Sequence, residues 1–262
     1  MLINCKKLAD ALQLFYDIVQ ALVGMKMSGE QNEILTGLLG RIYFLGTAIY
    51  QLGKGTEIPE IKSQPHFWDS TSMHVLIRAL VETAAQLNYL FLEQVNDDER
   101  EYRICYFKLR GLLVRQGIAA KEPENQAKQQ AERDIIENLK MRIVQTNRFK
   151  ELNSKEQQRL LDGENSKRFE PSKTQLIKSF FSDTGASPDA IGAIYGFLSD
   201  YAHSGYVSAL QTYDHTIQKE SGNNALANTA IWVGMITYRI ALCYSPAMEY
   251  LAKVGLSDFP AS

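Results

Sequence analysis

The 262-residue sequence predicts an all-α fold, an irregular helical bundle. Three observations predict it. Apolar residues recur three and four apart along most of the chain, the spacing that gathers them on one face of a helix. No stretch alternates apolar and polar residues with the period of two that a half-buried strand needs. Helix start and stop signals bracket the periodic stretches, as where Ser187-Pro188-Asp189 precedes AIGAIYGFLSDYAHSGY.

In chain order, a first helix is expected from about Leu2 to Val23. Leu8, Leu12, Phe15, Val19 and Leu22 form its apolar stripe, and Gly24 ends it. Ser28 with Gln31 has the form of a capping box and opens a second helix to about Leu52. Gly53 to Phe67 carries Gly55, Pro59 and Pro65 without apolar periodicity and reads as a loop. Asp69 or Ser70 caps a third helix to about Gln94. Asn96–Glu99 give a fourth an acidic start, and it runs to about Gly117. Pro123 suits the first turn of a fifth, to about Val144, whose almost wholly polar first half is expected to project from the body. In residues 146–186, Ser154 with Gln157 and Ser172 with Gln175 are expected to cap two short helices, the first stopping at Gly163. Lys167, Arg168, Lys173 and Lys178 make this stretch basic, and it reads as a lid or insertion. The Ser187 helix ends near His203. Residues 208–224 read as irregular, with a turn at Gly222-Asn223-Asn224. A helix over Ala225–Tyr244 and a short tail helix to Val254 close the chain. The simplest architecture is a single helical domain over 1–262 with an extended polar middle region.

The third helix, TSMHVLIRALVETAAQLNYLFL, is the most informative stretch. It is apolar nearly all round, which belongs in a core. Yet His74, Arg78, Glu82 and Gln86 fall four apart and share one face. Two readings of this stripe stand. In one, Arg78 and Glu82 pair internally and the stripe meets a loop or solvent. In the other, the stripe lines a site.

Composition narrows the function. A net charge of −2 does not mark a nucleic-acid binder, so such binding would need a local basic patch. One run qualifies: Arg100, Arg103, Lys108, Arg110, Arg115 and Lys121, interleaved with Tyr102, Tyr106 and Phe107. The same run also fits a solvated helix face. Cys5, Cys105 and Cys243 lie far apart with no C-x-x-C, which fits a reducing, cytoplasmic setting. The N-terminus has no apolar stretch of signal-peptide type. Ile34–Leu52 and Ala225–Tyr244 are apolar, but Arg41 and Arg239 inside them argue for buried helices rather than membrane spans.

Familiar enzyme signatures are missing. GKGT at Gly53–Thr56 lacks the spacing of a phosphate loop. G-x-S-x-G and G-x-G-x-x-G do not occur. One Asp-x-x-His, Asp200–His203, is too little for a carboxylate-bridged metal pair. The reading therefore calls for no metal and no cofactor. What remains is His203, at the end of an apolar helix, with Ser199 one turn back and Asp200 on its face. The apolar helices also hold three arginines, Arg41, Arg78 and Arg239, against two acids, Glu82 and Asp200. Were all five buried, the excess cation would be relieved by solvent or by an anionic ligand such as phosphate.

These residues carry a resemblance. Arg-x-x-x-Glu at Arg78 and Glu82, with Leu-Ser-x-x-x-His at Leu198, Ser199 and His203, resembles a group of uncharacterised bacterial all-helical families, and through them the HEPN superfamily (higher eukaryotes and prokaryotes nucleotide-binding). The resemblance implies a helical bundle, often homodimeric, and a metal-independent ribonuclease of a bacterial defence or toxin module. Its partners would be RNA or a nucleotide and an antitoxin or other protein. In that reading His203, Arg78, Glu82 and Asp200 are catalytic, and Ser199, Tyr206, Arg103 and Arg110 bind the substrate. This chain departs from the superfamily's motif, since no arginine stands four to six residues before His203 on its own helix. Arg78, from another helix, would have to take that place. The alternative is a non-catalytic helical module that binds a nucleotide, anion or protein partner through the Arg78/Glu82/His203 region.

Overall fold

In a computed structural model, the described residues are 2–22, 29–55, 69–118, 122–164, 168–182, 187–203 and 219–243. Among them every regular element is helical and no strand occurs, so the all-α bundle stands. The elements are α1 (Leu2–Leu22), α2 (Gly29–Gly53), α3 (Ser70–Leu87), a π-helical turn (Asn88–Leu92), α4 (Asp97–Gln116), α5 (Pro123–Gln145), α6 (Asn147–Lys150), α7 (Ser154–Leu161), α8 (Lys173–Phe181), α9 (Pro188–Ala202) and α10 (Lys219–Cys243). They fall into two compact units: Met1–Asn88 with Lys173–Ser262, and Tyr89–Ser172. The stretch 146–186, expected as a lid or insertion, gives α6 and α7 to the second unit and α8 to the first.

The first unit is built round α3. Met73, Ile77, Leu80, Val81, Ala84 and Leu87 are buried on several of its faces, because α2, α8, α9 and α10 all pack against it. Asp69 caps it, accepting from the Ser72 amide at 2.9 Å. Its regular hydrogen bonding ends earlier than the apolar pattern suggests, since the π-helical turn takes over at Asn88. Ser70–Leu92 is the one stretch among the described residues long and apolar enough to cross a membrane, and about two thirds of its apolar window is buried (67%).

α1 packs on both α2 and α10, which widens its stripe: Ile18 is fully buried where Val19 was expected. Gly46 lets α1 and α2 approach, for a Cβ there would lie 2.6 Å from Leu12 Cδ2. α10 begins well before Ala225, and Gly222-Asn223-Asn224 are helical rather than a turn. A tertiary tie favours this: Asn4 Nδ2 donates to the Asn223 carbonyl at 3.2 Å and to its Oδ1 at 2.9 Å. Weak local helix propensity is overridden by such contacts. The expected tail helix to Val254 lies outside the described residues.

In the second unit α4 pairs with α5, and α6 packs on both. Tyr102, Tyr106, Leu109, Ile143, Phe149 and Phe169 form much of its core. Burial pushes the Tyr102 and Tyr106 phenols far above their ordinary range. Each hydroxyl donates to a carbonyl, of Phe169 and of Glu164, both at 3.0 Å. α7 starts on a capping box of Asn153 and Glu156, one residue before the expected Ser154 and Gln157; Asn is at least as good a cap as Ser. Gly163, at φ +77°, ends it.

Four arginines of the basic run of α4 are engaged inside this unit, while Lys121 lies outside the described residues. Arg100 Nη1 donates to the Leu90 carbonyl and Arg103 Nη1 to the Tyr89 carbonyl, both at 2.7 Å. These are the carbonyls that a helix end leaves without partners. Arg103 also reaches Glu93 and Glu99 (2.6 and 2.7 Å), and Arg148 shares Glu99 at 2.6 Å. Arg110 pairs with Glu170 and Arg115 with Glu132.

Three substitutions, each read by urea unfolding, test this packing. Gly46→Val costs roughly 1–3 kcal/mol by overpacking, whereas Gly111→Ala, in open space on α4, gains about 0.5–1 kcal/mol. Glu99→Gln, which leaves two partly buried guanidinium groups short of a carboxylate, costs on the order of 2 kcal/mol.

Candidate functional site

α3 and α9 lie side by side and run antiparallel, since His74 meets Tyr201 while Glu82 meets Tyr195. The polar row of α3 therefore faces α9. Its centre is the Glu82 carboxylate. Oε1 accepts from Arg78 Nε at 3.0 Å and from the Tyr195 hydroxyl at 2.8 Å. Oε2 accepts from Lys173 Nζ at 2.7 Å. One carboxylate thus ties together α3, α8 and α9. Burial pushes the Glu82 carboxyl up, but the bonds from Lys173 and Tyr195 and the charges of Lys173 and Arg78 outweigh it, and its pKa falls below the usual value. The Tyr195 phenol moves up, first by burial and then through Glu82, against the opposing pull of Arg78.

Arg78 is the second element. Its side chain is only 16% exposed, and its guanidinium lies over the Tyr195 ring, 5.6 Å from the centroid. With Nε on Glu82, Nη1 reaches 3.4 Å from His203 Nε2. Burial lowers the Arg78 pKa, while Tyr195 and Glu82 more than restore it, so it stays firmly cationic. His203 is the C-cap of α9 and is exposed, its backbone N–H donating to the Ser199 carbonyl at 3.1 Å. A guanidinium N–H donating to Nε2 requires that nitrogen to be unprotonated, which leaves the imidazole proton on Nδ1.

The expected site residues divide as follows. Arg78, Glu82 and His203 come together, and Ser199 and Asp200 lie in the last turn before His203. Asp200 lies by Tyr201, whose phenol is pushed up by burial and by that carboxylate. Tyr206, like His66 and His215, lies outside the described residues. Arg103 and Arg110 belong to the second unit and engage Glu99, Glu93 and Glu170. Of the arginines counted in apolar helices, Arg41 is exposed and Arg239 donates to the Phe180 carbonyl, so the cation excess narrows to Arg78 and its neighbours.

Two participants were missed from sequence. Tyr195 stands four and eight residues before Ser199 and His203, a row on α9 that mirrors the one on α3. Lys173 opens α8 in the basic stretch expected as a lid, and nothing local marks it out from Lys178. His74 also finds its complement: its ring stacks on Tyr201 (centroids 4.5 Å) and meets Phe197 edge-on at 5.6 Å, with Nδ1 2.6 Å from the Ser70 carbonyl.

Chemically, the cluster sets two cations on the Glu82 carboxylate beside an exposed imidazole, with Asp200 in the turn before that imidazole. The negative end of α9 offsets only about half a charge. Among the described residues no group of three or more His, Cys, Asp or Glu side chains is placed to hold a metal ion.

A carboxylate held below its unfolded pKa adds stability at neutral pH that is lost as pH falls through the lowered folded value. Acidification below about 4.5, the ordinary carboxyl value for Glu82, should therefore lower the urea midpoint of the wild type more steeply than that of Glu82→Gln, and equal acid slopes would contradict this. Comparison with known protein families, curated proteins and solved structures finds no match.

Proposed function

We propose that the first unit binds an anionic ligand, a phosphate group above all, through Arg78, Lys173 and His203. The observation that carries this reading is the sharing of Glu82. Two cations converge on one carboxylate that uses both its oxygens to hold them. A structural ion pair needs one cation for one acid; here Glu82 gathers two. Lys173 is 66% exposed and its ammonium has two further N–H donors. Arg78 adds a planar guanidinium, whose fork geometry suits phosphate. Glu82 and Tyr195 act as positioning residues, holding the donors ready before the ligand arrives.

The 3.4 Å contact between Arg78 and His203 favours a second reading, that the site cleaves RNA without a metal in the manner the HEPN resemblance implies. As Arg78 Nη1 turns from Nε2 to the phosphate, neutral His203 would take up at Nε2 the proton of a ribose 2′-OH while that oxygen attacks the adjacent phosphorus. Arg78 and Lys173 would stabilise the charge on the phosphorane. The P–O5′ bond breaks, the 5′-oxygen takes up a proton, and a 2′,3′-cyclic phosphate remains. The arginine comes from α3 rather than from the helix of the histidine, so this pair would meet across two helices.

Both readings are tested with the full chain. For binding, thermal unfolding is followed with inorganic phosphate, nucleoside phosphates and short RNA. At least one should raise the Tm of the wild type and not of Arg78→Ala. At a hundred times Kd the gain is about 2.7 kcal/mol, a shift of a few degrees. If none raises it, or if wild type and variant respond alike, the anion site is wrong. For cleavage, RNA incubated with the protein in EDTA should yield cyclic-phosphate ends with the wild type and none with His203→Ala. RNA left intact at high protein concentration eliminates the second reading without touching the first.

A further inference from the structure

We infer that the outer face of α2 pairs with the same face of a second copy of this chain, antiparallel about a two-fold axis at Gly37. α2 contains Gly37, Gly40 and Gly46 in its interior and ends at Gly53. Glycine weakens a helix interior relative to alanine, so each needs a reason. Gly46 and Gly53 have one inside the chain: a Cβ at either would overlap Leu12 or Leu226. Gly37 and Gly40 have none. A Cβ at Gly37 meets nothing within 4 Å, and at Gly40 only the ring of Phe44, 3.9 Å away on the same helix. What they leave is a low, open strip along the exposed face of α2, with Phe44 standing 70% exposed at its end.

The charges on this face select the occupant. Glu33 and Arg41 stand four residues to either side of Gly37, both exposed and on the same stripe. Neither has an ion-pair partner among the described residues. A two-fold axis through Gly37 sets Glu33 level with Arg41 of the second copy and Arg41 level with its Glu33, forming two equivalent ion pairs. Such reciprocity is what an isologous interface requires, residue i meeting j and j meeting i. The glycines let the two backbones approach, and Phe44 of each copy covers the opposite helix. A single helix pair is small as interfaces go, so this dimer should dissociate on dilution.

Sedimentation equilibrium on the full chain tests this. The wild type should be a dimer at its highest soluble concentration and dissociate as it is diluted. Gly37→Leu has room in the monomer, because the added side chain points into open space, and it should weaken the dimer at least tenfold while circular dichroism stays unchanged. Arg41→Glu should weaken it similarly by setting like charges opposite one another, and Glu33→Arg together with Arg41→Glu should restore it. A wild type that stays monomeric, or a dimer that none of these variants weakens, overturns the inference. So does a complex with a different protein in its place. A dimer broken by Gly37→Leu but not restored by the double reversal overturns the antiparallel pairing.

Discussion

Glu82 is the constraint on which the first unit's polar chemistry depends. α3 must bury most of its circumference, and four other helices of the unit take its apolar faces. A charged row on such a helix is tolerable only if its members satisfy one another. Glu82 does this for three donors from three helices. Arg78 alone, packed against Tyr195, would be a poorly compensated cation in a largely buried setting. With Glu82 it is held in one orientation, its Nη1 end turned toward His203. The same carboxylate that makes the row compatible with the core also presents two cations and an imidazole at its edge. Stability and binding are linked through one side chain.

The second unit solves an equivalent problem in the opposite way. Its arginines match acids and helix-end carbonyls closely: Glu99 joins Arg103 and Arg148, and Arg100 and Arg103 take the carbonyls of Leu90 and Tyr89. Here the cationic run consolidates the fold. The contrast gives the proposed anion site its meaning, because arginine and tyrosine side by side are not in themselves a sign of nucleic-acid binding. What matters is whether the guanidinium donors are used up. On α4 the bonds to acids and carbonyls occupy much of the donor capacity; around Glu82 two cations share one acid.

Much of this was legible in the sequence. The all-α class, the start of α3 at Asp69, the start of α4 at Asn96 and the start of α9 at Ser187 follow from periodicity and caps, which are local properties. The row of His74, Arg78 and Glu82 was visible from spacing, as was His203 at a helix end. The extended start of α10 was not, because Asn223 is held by Asn4 from the far end of the chain. Lys173 was hidden for the same reason: its partner lies ninety-one positions away (|i−j|=91), and one lysine in a basic stretch looks like another. Tyr195 was hidden by its character, since a tyrosine on an apolar helix reads as core until its hydroxyl finds a carboxylate. The π-helical turn at Asn88 has no local signature, for NYLFL suits an ordinary helix equally well.

The central claim is that Arg78, Lys173 and His203 form one preassembled anion site held by Glu82. Side-chain nitrogen NMR during titration with inorganic phosphate tests it most directly. The account predicts that the Arg78 guanidinium and His203 imidazole signals shift together, along one saturable curve, and that the curve weakens at least tenfold in Glu82→Gln. Signals that stay still through the titration, or that move with the same affinity when Glu82 is replaced, would contradict it.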